Sequence, residues 1–340
     1  MQWPAEIYAV NFSLYKRPII RDYFQMSRIR FVKHFSDIPQ GAVAVVWGNV
    51  QVPEMDRGIR LIRVEDGFLR SVGLGADLIR PISLVMDSRG IYFDATRASD
   101  LEYLLLNMPF DDAQKSRARK LRQRIVDVGL TKYNVGNTRW QRPAGKSRVI
   151  LVPGQVESDA SLEFGAPEIC RNIDLLKSVR ELNPDAYVIY KPHPDVLAGL
   201  RARGAQENTA LHWCDEMVTD VQMGDLLAEV DEVHVLTSLA GFEALLREKK
   251  VTCYGQPFYA GWGLTVDVLP VARRQRKLSL DELVAGVLIL YPAYVCEAKG
   301  GYTTPEHALK ELQARRECAS LGKPWWAFFK HVIVKLLRLV

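Results

Sequence analysis

The stretch Ala186-Tyr187-Val188-Ile189-Tyr190-Lys191-Pro192-His193-Pro194 decides the fold class. An apolar run rich in valine, isoleucine and tyrosine reads as a short strand. Two prolines then end it, because proline has no N–H for a ladder and restricts the residue before it. The same pattern recurs on both sides. Arg148-Val149-Ile150-Leu151-Val152 runs into Pro153-Gly154, Glu232-Val233-His234-Val235-Leu236 runs into Thr237-Ser238, and Val251-Thr252-Cys253 runs into Tyr254-Gly255. Ala166 to Leu182, stopped by Asn183-Pro184, and Gly241 to Lys249 carry helical spacing. Short apolar strands alternating with helices imply parallel βαβ units. Such sheets bind ligands beyond the carboxyl ends of their strands, where the polar motifs of this half fall.

The first half reads as mixed α/β. Ala42 to Trp47 ends in Gly48, and Ile59 to Val64 runs directly into Glu65-Asp66-Gly67. Ser83 to Asp87 and Ile91 to Asp94 flank Ser88-Arg89-Gly90, a hairpin signal. A helix is expected from Ser99 to Leu106, with Ser99 as N-cap and Glu102 three residues on. Residues 115–126 form a basic helical stretch, most simply a solvated face. Residues 131–147, rich in Asn, Gly, Arg and Pro, read as a linker.

A chain of 340 residues exceeds the usual size of one domain. Its 48% hydrophobic and 25% charged residues are those of a globular protein, and a net charge of +5 is modest. No basic stripe alternates with aromatic residues, which argues against nucleic acid as a partner. Five scattered cysteines, with no C-x-x-C pair, argue against a disulfide framework or a zinc site and fit a reducing compartment. The start of the chain shows no secretory signal, so a cytoplasmic protein is expected.

Residues 324–340 stand apart, beginning Pro324-Trp325-Trp326 and continuing with aliphatic residues among cations. The run is too short and too charged to span a bilayer, which takes about 20 mainly apolar residues. On a helix His331, Lys335 and Arg338 share one face. An amphipathic helix lying on an anionic membrane surface is expected, with packing on the chain's own domain or a partner subunit as the alternative.

The chemistry available lies at the strand ends. Lys191 and a protonated His193 can neutralise the charge that builds on a departing phosphate. Thr237, Ser238 and Gly241 stand at a strand-to-helix junction, where free N–H groups and the helix dipole attract an anion; Ser238 can equally be a simple cap. Glu243, one turn in, can accept from ribose hydroxyls. Gln155 lies in the polar loop Gly154–Ser161. In the same loop Asp159 can be a carboxylate nucleophile or a helix cap. Glu65, at a strand end of the other half, can act as general base for an acceptor hydroxyl. No Asp-x-Asp pair is present, so no divalent metal site of the kind used with sugar diphosphates is expected.

Taken together, Val64 to Gly75, Pro153-Gly154-Gln155-Val156-Glu157-Ser158-Asp159, Lys191-Pro192-His193-Pro194 and His234 to Glu243 resemble the bacterial capsule β-Kdo transferases of the KpsC/LipA type. The block Tyr254-Gly255-Gln256-Pro257-Phe258-Tyr259-Ala260-Gly261-Trp262-Gly263 is the most specific part of that resemblance, which spans roughly residues 42–310. The resemblance implies a GT-B-like α/β fold of two Rossmann-like domains facing a central cleft. The domains are expected at 1–140, on the acceptor side, and 141–320, binding the CMP-sugar, with the last helices able to pack back on the first domain and 324–340 as the membrane-interface helix. It implies CMP-β-Kdo as donor, no cofactor or metal, and retaining transfer to a lipid-linked or glycan acceptor of capsule or lipopolysaccharide at the inner face of the inner membrane. Other polysaccharide assembly proteins are conceivable partners. It puts the nucleophile on Asp159, the acid/base on Glu65, the phosphate contact on His193 and the Thr237-Ser238 turn at the CMP phosphate, with Lys191, Gln155, Gly241 and Glu243 completing the donor site. Two rivals stand beside it: an inverting CMP-sialic acid transferase and a non-catalytic GT-B-like module.

Overall fold

In a computed structural model, which describes residues 3–52, 58–73, 79–132, 134, 136, 138–296 and 300–320, the chain divides into two compact α/β units. One takes in the chain up to Tyr92, Arg97–Leu104 and the chain from Gly286 onward; the other takes in Phe93–Thr96 and Leu105–Ala285.

The second unit holds a six-stranded, wholly parallel sheet. Its order is Val266–Asp267, Lys250–Cys253, Glu232–Val235, Val149–Pro153, Tyr187–Lys191, Glu216–Met217. All five residues of Val149–Pro153 are buried, as expected of a central strand covered on both faces. From this strand the chain moves outward one way to Tyr187–Lys191, then returns to build outward the other way from Glu232–Val235. The crevice between Val149–Pro153 and Glu232–Val235 is thus a topological switch point, the usual ligand position in open α/β sheets.

One face of this sheet is sealed by Ile150, Val152, Val188 and Tyr190 against Leu162, Ile173, Leu176 and Val179 of the following helices. Each such buried aliphatic side chain contributes about 1.5–3 kcal/mol relative to exposure. Of the helix foreseen over Ala166–Leu182 only Asn172–Leu182 is helical, and a separate short helix, Ala160–Gly165, precedes it. The helix foreseen from Gly241 begins earlier, at Leu239.

The first unit holds a seven-stranded sheet in the order Tyr302–Thr303, Pro292–Val295, Ser83–Asp87, Arg60–Asp66, Val43–Trp47, Glu6–Val10, Arg28–Val32. The last four of these strands are parallel to one another and the remaining pairings are antiparallel. Alternating side chains feed two cores: Ile7, Ala9, Val43 and Val45 enter one, Tyr8, Val10, Ala44 and Val46 the other. Arg28 and Arg30 charge the edge strand, which discourages pairing with another sheet.

Three expectations change. The hairpin over Ser83–Asp94 does not form, since Ile91–Asp94 is turn and coil. Asp87 gathers that turn instead, its Oδ1 accepting from Arg89 N and Gly90 N at 3.0 and 2.8 Å, while Ser83–Asp87 pairs with Pro292–Val295. The described residues of 131–147 are not a linker between units but lie within the second. The division also falls elsewhere than 140/141. The helix Asp112–Asp127 buries Ala118, Leu121 and Ile125, and Arg122 donates to Leu246 O at 3.2 Å inside the second unit. Ser99 caps the helix Asp100–Asn107 as foreseen, its Oγ accepting from Glu102 N at 3.1 Å. No helix among the described residues is long and apolar enough to cross a membrane. Residues 324–340 lie outside the described residues.

Candidate active site

The loops beyond the carboxyl edge of the parallel sheet gather most of the expected residues. Gln155 follows the central strand and Thr237 follows the strand beside it. The Gln155 amide donates through Nε2 to Thr237 Oγ1 at 3.0 Å and accepts Thr237 N–H on Oε1 at 2.9 Å. Gln155 thereby ties the two sides of the switch point together. Its own backbone is held by Asn172, which accepts Gln155 N–H at 2.9 Å and donates to Gln155 O at 2.8 Å. Glu157 accepts from Asn172 N and Ala205 N, both at 2.9 Å, fixing this loop to the one beyond His193.

Asp159 is exposed and caps the helix Ala160–Gly165, its Oδ1 accepting from Ser161 N at 2.8 Å. The cap fixes the rotamer of the carboxylate and leaves it accessible. Lys191 ends its strand and is 7% exposed; burial brings its ammonium down to about 8, against the pull of Asp220.

His193 is the N-cap of the short helix Pro194–Leu197, with Pro194 in its first position. Its Nδ1 accepts from Asp195 N at 3.1 Å, which leaves the ring proton of the neutral form on Nε2. Burial, reinforced by the nearby Lys132 and Arg201 charges and opposed by Asp159, brings its pKa down to about 4. The expected protonated imidazole is therefore corrected. At pH 7 His193 is a neutral Nε2–H donor, because an imidazolium there would be desolvated and would face two cations.

Ser238 caps the helix Leu239–Leu246, accepting from Ala240 N at 3.3 Å. Gly241 is buried, and a Cβ at this position would come within 2.2 Å of Tyr259 Oη. That Tyr259 hydroxyl donates to Ser238 O. Gly241 is thus explained by packing. Glu243 is 8% exposed, and its Oε1 accepts from Lys132 N at 2.7 Å; burial raises its carboxyl, against Lys132 N–H and Arg247.

The block 254–263 makes a core. Phe258, Tyr259 and Trp262 are buried, Trp262 Nε1 donates to Phe258 O at 2.8 Å, and Arg274 Nη1 donates to Ala260 O at 2.8 Å. Its residues support the Ser238 turn from beneath.

In the first unit Glu65 and Asp66 end the strand Arg60–Asp66 half-buried. Glu65 Oε1 accepts from Trp47 Nε1 at 3.2 Å and Asp66 N at 2.9 Å. Asp66 pairs with the buried Arg70 at 2.5 Å. Lys16 lies over the Trp47 ring, 3.9 Å from its centroid, and burial lowers its pKa against the opposing charges of Glu65 and Asp66. Lys16 and Lys132 carry no local sequence signal. Only the packing of segments distant in sequence reveals them.

Residues 53–129 and 112–301 match the capsule polysaccharide biosynthesis protein family. The capsule polysaccharide modification protein LipA of Neisseria meningitidis serogroup A is 47% identical over 303 residues, covering 86% of this chain and 43% of LipA. The chain therefore spans less than half the length of that relative. The lipopolysaccharide-processing protein LpsZ of Rhizobium meliloti is 42% identical, over 88% of this chain and 72% of LpsZ. Among solved structures, the β-Kdo 2,7 transferase of Thermosulfurimonas dismutans KpsC is 41% identical with a TM-score of 0.78, covering 92% of this chain and 99% of that one. The β-Kdo 2,4 transferase of the same KpsC is 29% identical with a TM-score of 0.80, at the same coverage. The class is that of capsule polysaccharide biosynthesis proteins. Within it, the chain belongs to the KpsC/LipA-type family of capsule polysaccharide Kdo transferases.

Proposed function

We propose that this protein is a retaining glycosyltransferase that moves β-Kdo from CMP-β-Kdo to a lipid-linked or glycan acceptor of a bacterial surface polysaccharide. The observation that carries the reading is the switch point. Gln155 and Thr237 bridge it, and Asp159, Lys191, His193 and Ser238 stand on the loops along the same sheet edge. The 41% identity to the β-Kdo 2,7 transferase, against 29% to the 2,4 enzyme, favours a 2,7 linkage.

The Asp159 carboxylate attacks the anomeric carbon of the donor, and the bond to the CMP phosphate oxygen breaks. CMP leaves with the bonding electrons, its charge met by Lys191 and the Nε2–H of His193. The acceptor hydroxyl then attacks the same carbon, its proton passes to Glu65, and the Asp159 carboxylate is released. Two inversions give net retention. A donor with a single phosphate is neutralised by these side chains, so no metal takes part in the proposed transfer. Residues 324–340 would rest on an anionic membrane surface, and their deletion should abolish partition to anionic vesicles.

The test is the intact mass of the protein after incubation with freshly made CMP-Kdo and no acceptor. An added Kdo, mapped to Asp159 and missing in Asp159→Asn, is the expected result. CMP binding without an adduct, followed by a product of inverted anomeric configuration once an acceptor is supplied, would overturn the double displacement in favour of inverting transfer. Binding of neither CMP nor CMP-Kdo would favour a non-catalytic role.

A further inference from the structure

Beyond the end of the strand Pro292–Val295, the first unit brings together three side chains that no motif connects. Cys296 follows the strand Pro292–Val295 and is 6% exposed, its N–H donating to Gly301 O at 3.0 Å. His307 and Glu311 stand one turn apart on the helix Pro305–Ser320, hence on one face. The Cys296 sulfur lies 3.7 Å from His307 Nε2, and one ligand atom from each of the three residues falls within 4.8 Å of the others. Zinc bonds of about 2.3 Å to sulfur and about 2.0 Å to nitrogen, at a tetrahedral angle, put those two atoms about 3.5 Å apart.

A second observation points the same way. Arg315 pairs with Glu311 Oε1, whereas Glu311 Oε2 is buried and has no hydrogen-bond partner among the described residues. A buried carboxylate oxygen left without a donor is costly, and a cation is a partner it lacks. His307 is exposed, which leaves solvent access for a fourth ligand.

We propose that Cys296, His307 and Glu311 bind one zinc ion, with water as the fourth ligand, pinning the helix Pro305–Ser320 to the end of the strand Pro292–Val295. On binding, the Cys296 thiol gives its proton to solvent and coordinates as the thiolate, while His307 coordinates as neutral imidazole through Nε2. Its role is structural.

The experiment is a cobalt(II) titration of the full-length protein after chelator dialysis, followed by displacement with zinc(II). One equivalent of cobalt should bind, with a thiolate-to-cobalt charge-transfer band and the visible absorbance of a tetrahedral ion. Cys296→Ser should lose the charge-transfer band, and His307→Ala and Glu311→Gln should each weaken binding at least about tenfold. Zinc should raise the melting temperature of the parent protein and not that of the variants. Because His307 is exposed, His307→Ala keeps the fold, which circular dichroism checks. Absence of saturable cobalt binding overturns the proposal. So does binding that survives in Cys296→Ser or is unchanged in His307→Ala, which would place the metal elsewhere, for example at the exposed Cys170 or Cys318.

Discussion

Gln155 grips Thr237 at both ends of its side-chain amide, joining the loops that follow two neighbouring parallel strands whose onward connections run in opposite directions. Gln155→Ala strands the Thr237 N–H in a half-buried crevice and leaves the Thr237 hydroxyl only its 3.4 Å bond to Ser161 Oγ. The expected cost is about 1–3 kcal/mol of stability, read from urea denaturation. In the proposed reaction the loss extends to kcat, because the Thr237-Ser238 turn is no longer held in place. A variant with wild-type stability would show the clamp to be incidental.

Asp159 combines a helix cap with the proposed nucleophile, and substitutions separate the two. Asparagine caps as well as aspartate, so Asp159→Asn should keep stability within about 0.5 kcal/mol while abolishing transfer. Asp159→Ala should lose transfer and a further ~1 kcal/mol through the missing cap. Thermal melts and CMP release measured on both variants decide the matter.

His193 makes stability depend on pH. Its pKa is about 4 in the folded protein against 6.5 in the ordinary group. Between those values the unfolded chain takes up a proton that the folded protein refuses, so stability falls as pH drops through this window. Above it the imidazole is neutral in both states and the effect vanishes. His193→Gln should therefore lose less stability than the parent between pH 7 and pH 5, by denaturant titration at each.

Lys191, brought down to about 8 by burial, should place a descending limb on the pH profile of kcat/KM for the donor. The expected activity declines above about pH 8, as the ammonium that meets the phosphate loses its proton. Lys191→Met should lower activity and remove that limb. A parent profile flat to pH 9.5 would remove Lys191 from phosphate binding.

Gly241 and Tyr259 form one packing unit. Gly241→Ala brings a methyl into the Tyr259 hydroxyl and should cost about 1–3 kcal/mol. Tyr259→Phe removes the nearest clashing atom together with the bond to Ser238 O. The double variant should be more stable than the sum of the single changes predicts, a coupling measured by a double-mutant cycle.

Much of the candidate site was legible because its residues lie where local rules act. Prolines around His193 stop a strand, and hydroxyls at Thr237 and Ser238 start a helix. What those residues do was less legible. Its position at a strand end suggests a cationic His193, but burial and the neighbouring Lys132 and Arg201 charges make it neutral. The most specific block, 254–263, is core, and it supports the site through Tyr259 without lying in it. The turn signal at Ser88-Arg89-Gly90 does not close a hairpin because Ser83–Asp87 finds its partner in Pro292–Val295, and no local signal encodes a pairing across that separation.

The sequence by itself determined the strand-and-helix grammar of the second unit, the loops that carry the polar residues and the family. These follow from periodicity, turn chemistry and motif order, which act over a few residues at a time. Only the tertiary structure decided that the helix Asp112–Asp127 belongs to the second unit, that Gln155 spends its amide on Thr237, and that Lys16 stands beside Glu65. Only it brought Cys296 to His307 and Glu311. Each of these depends on which distant strands pair and on how much water is left around a charge, and both quantities exist only once the chain has closed on itself.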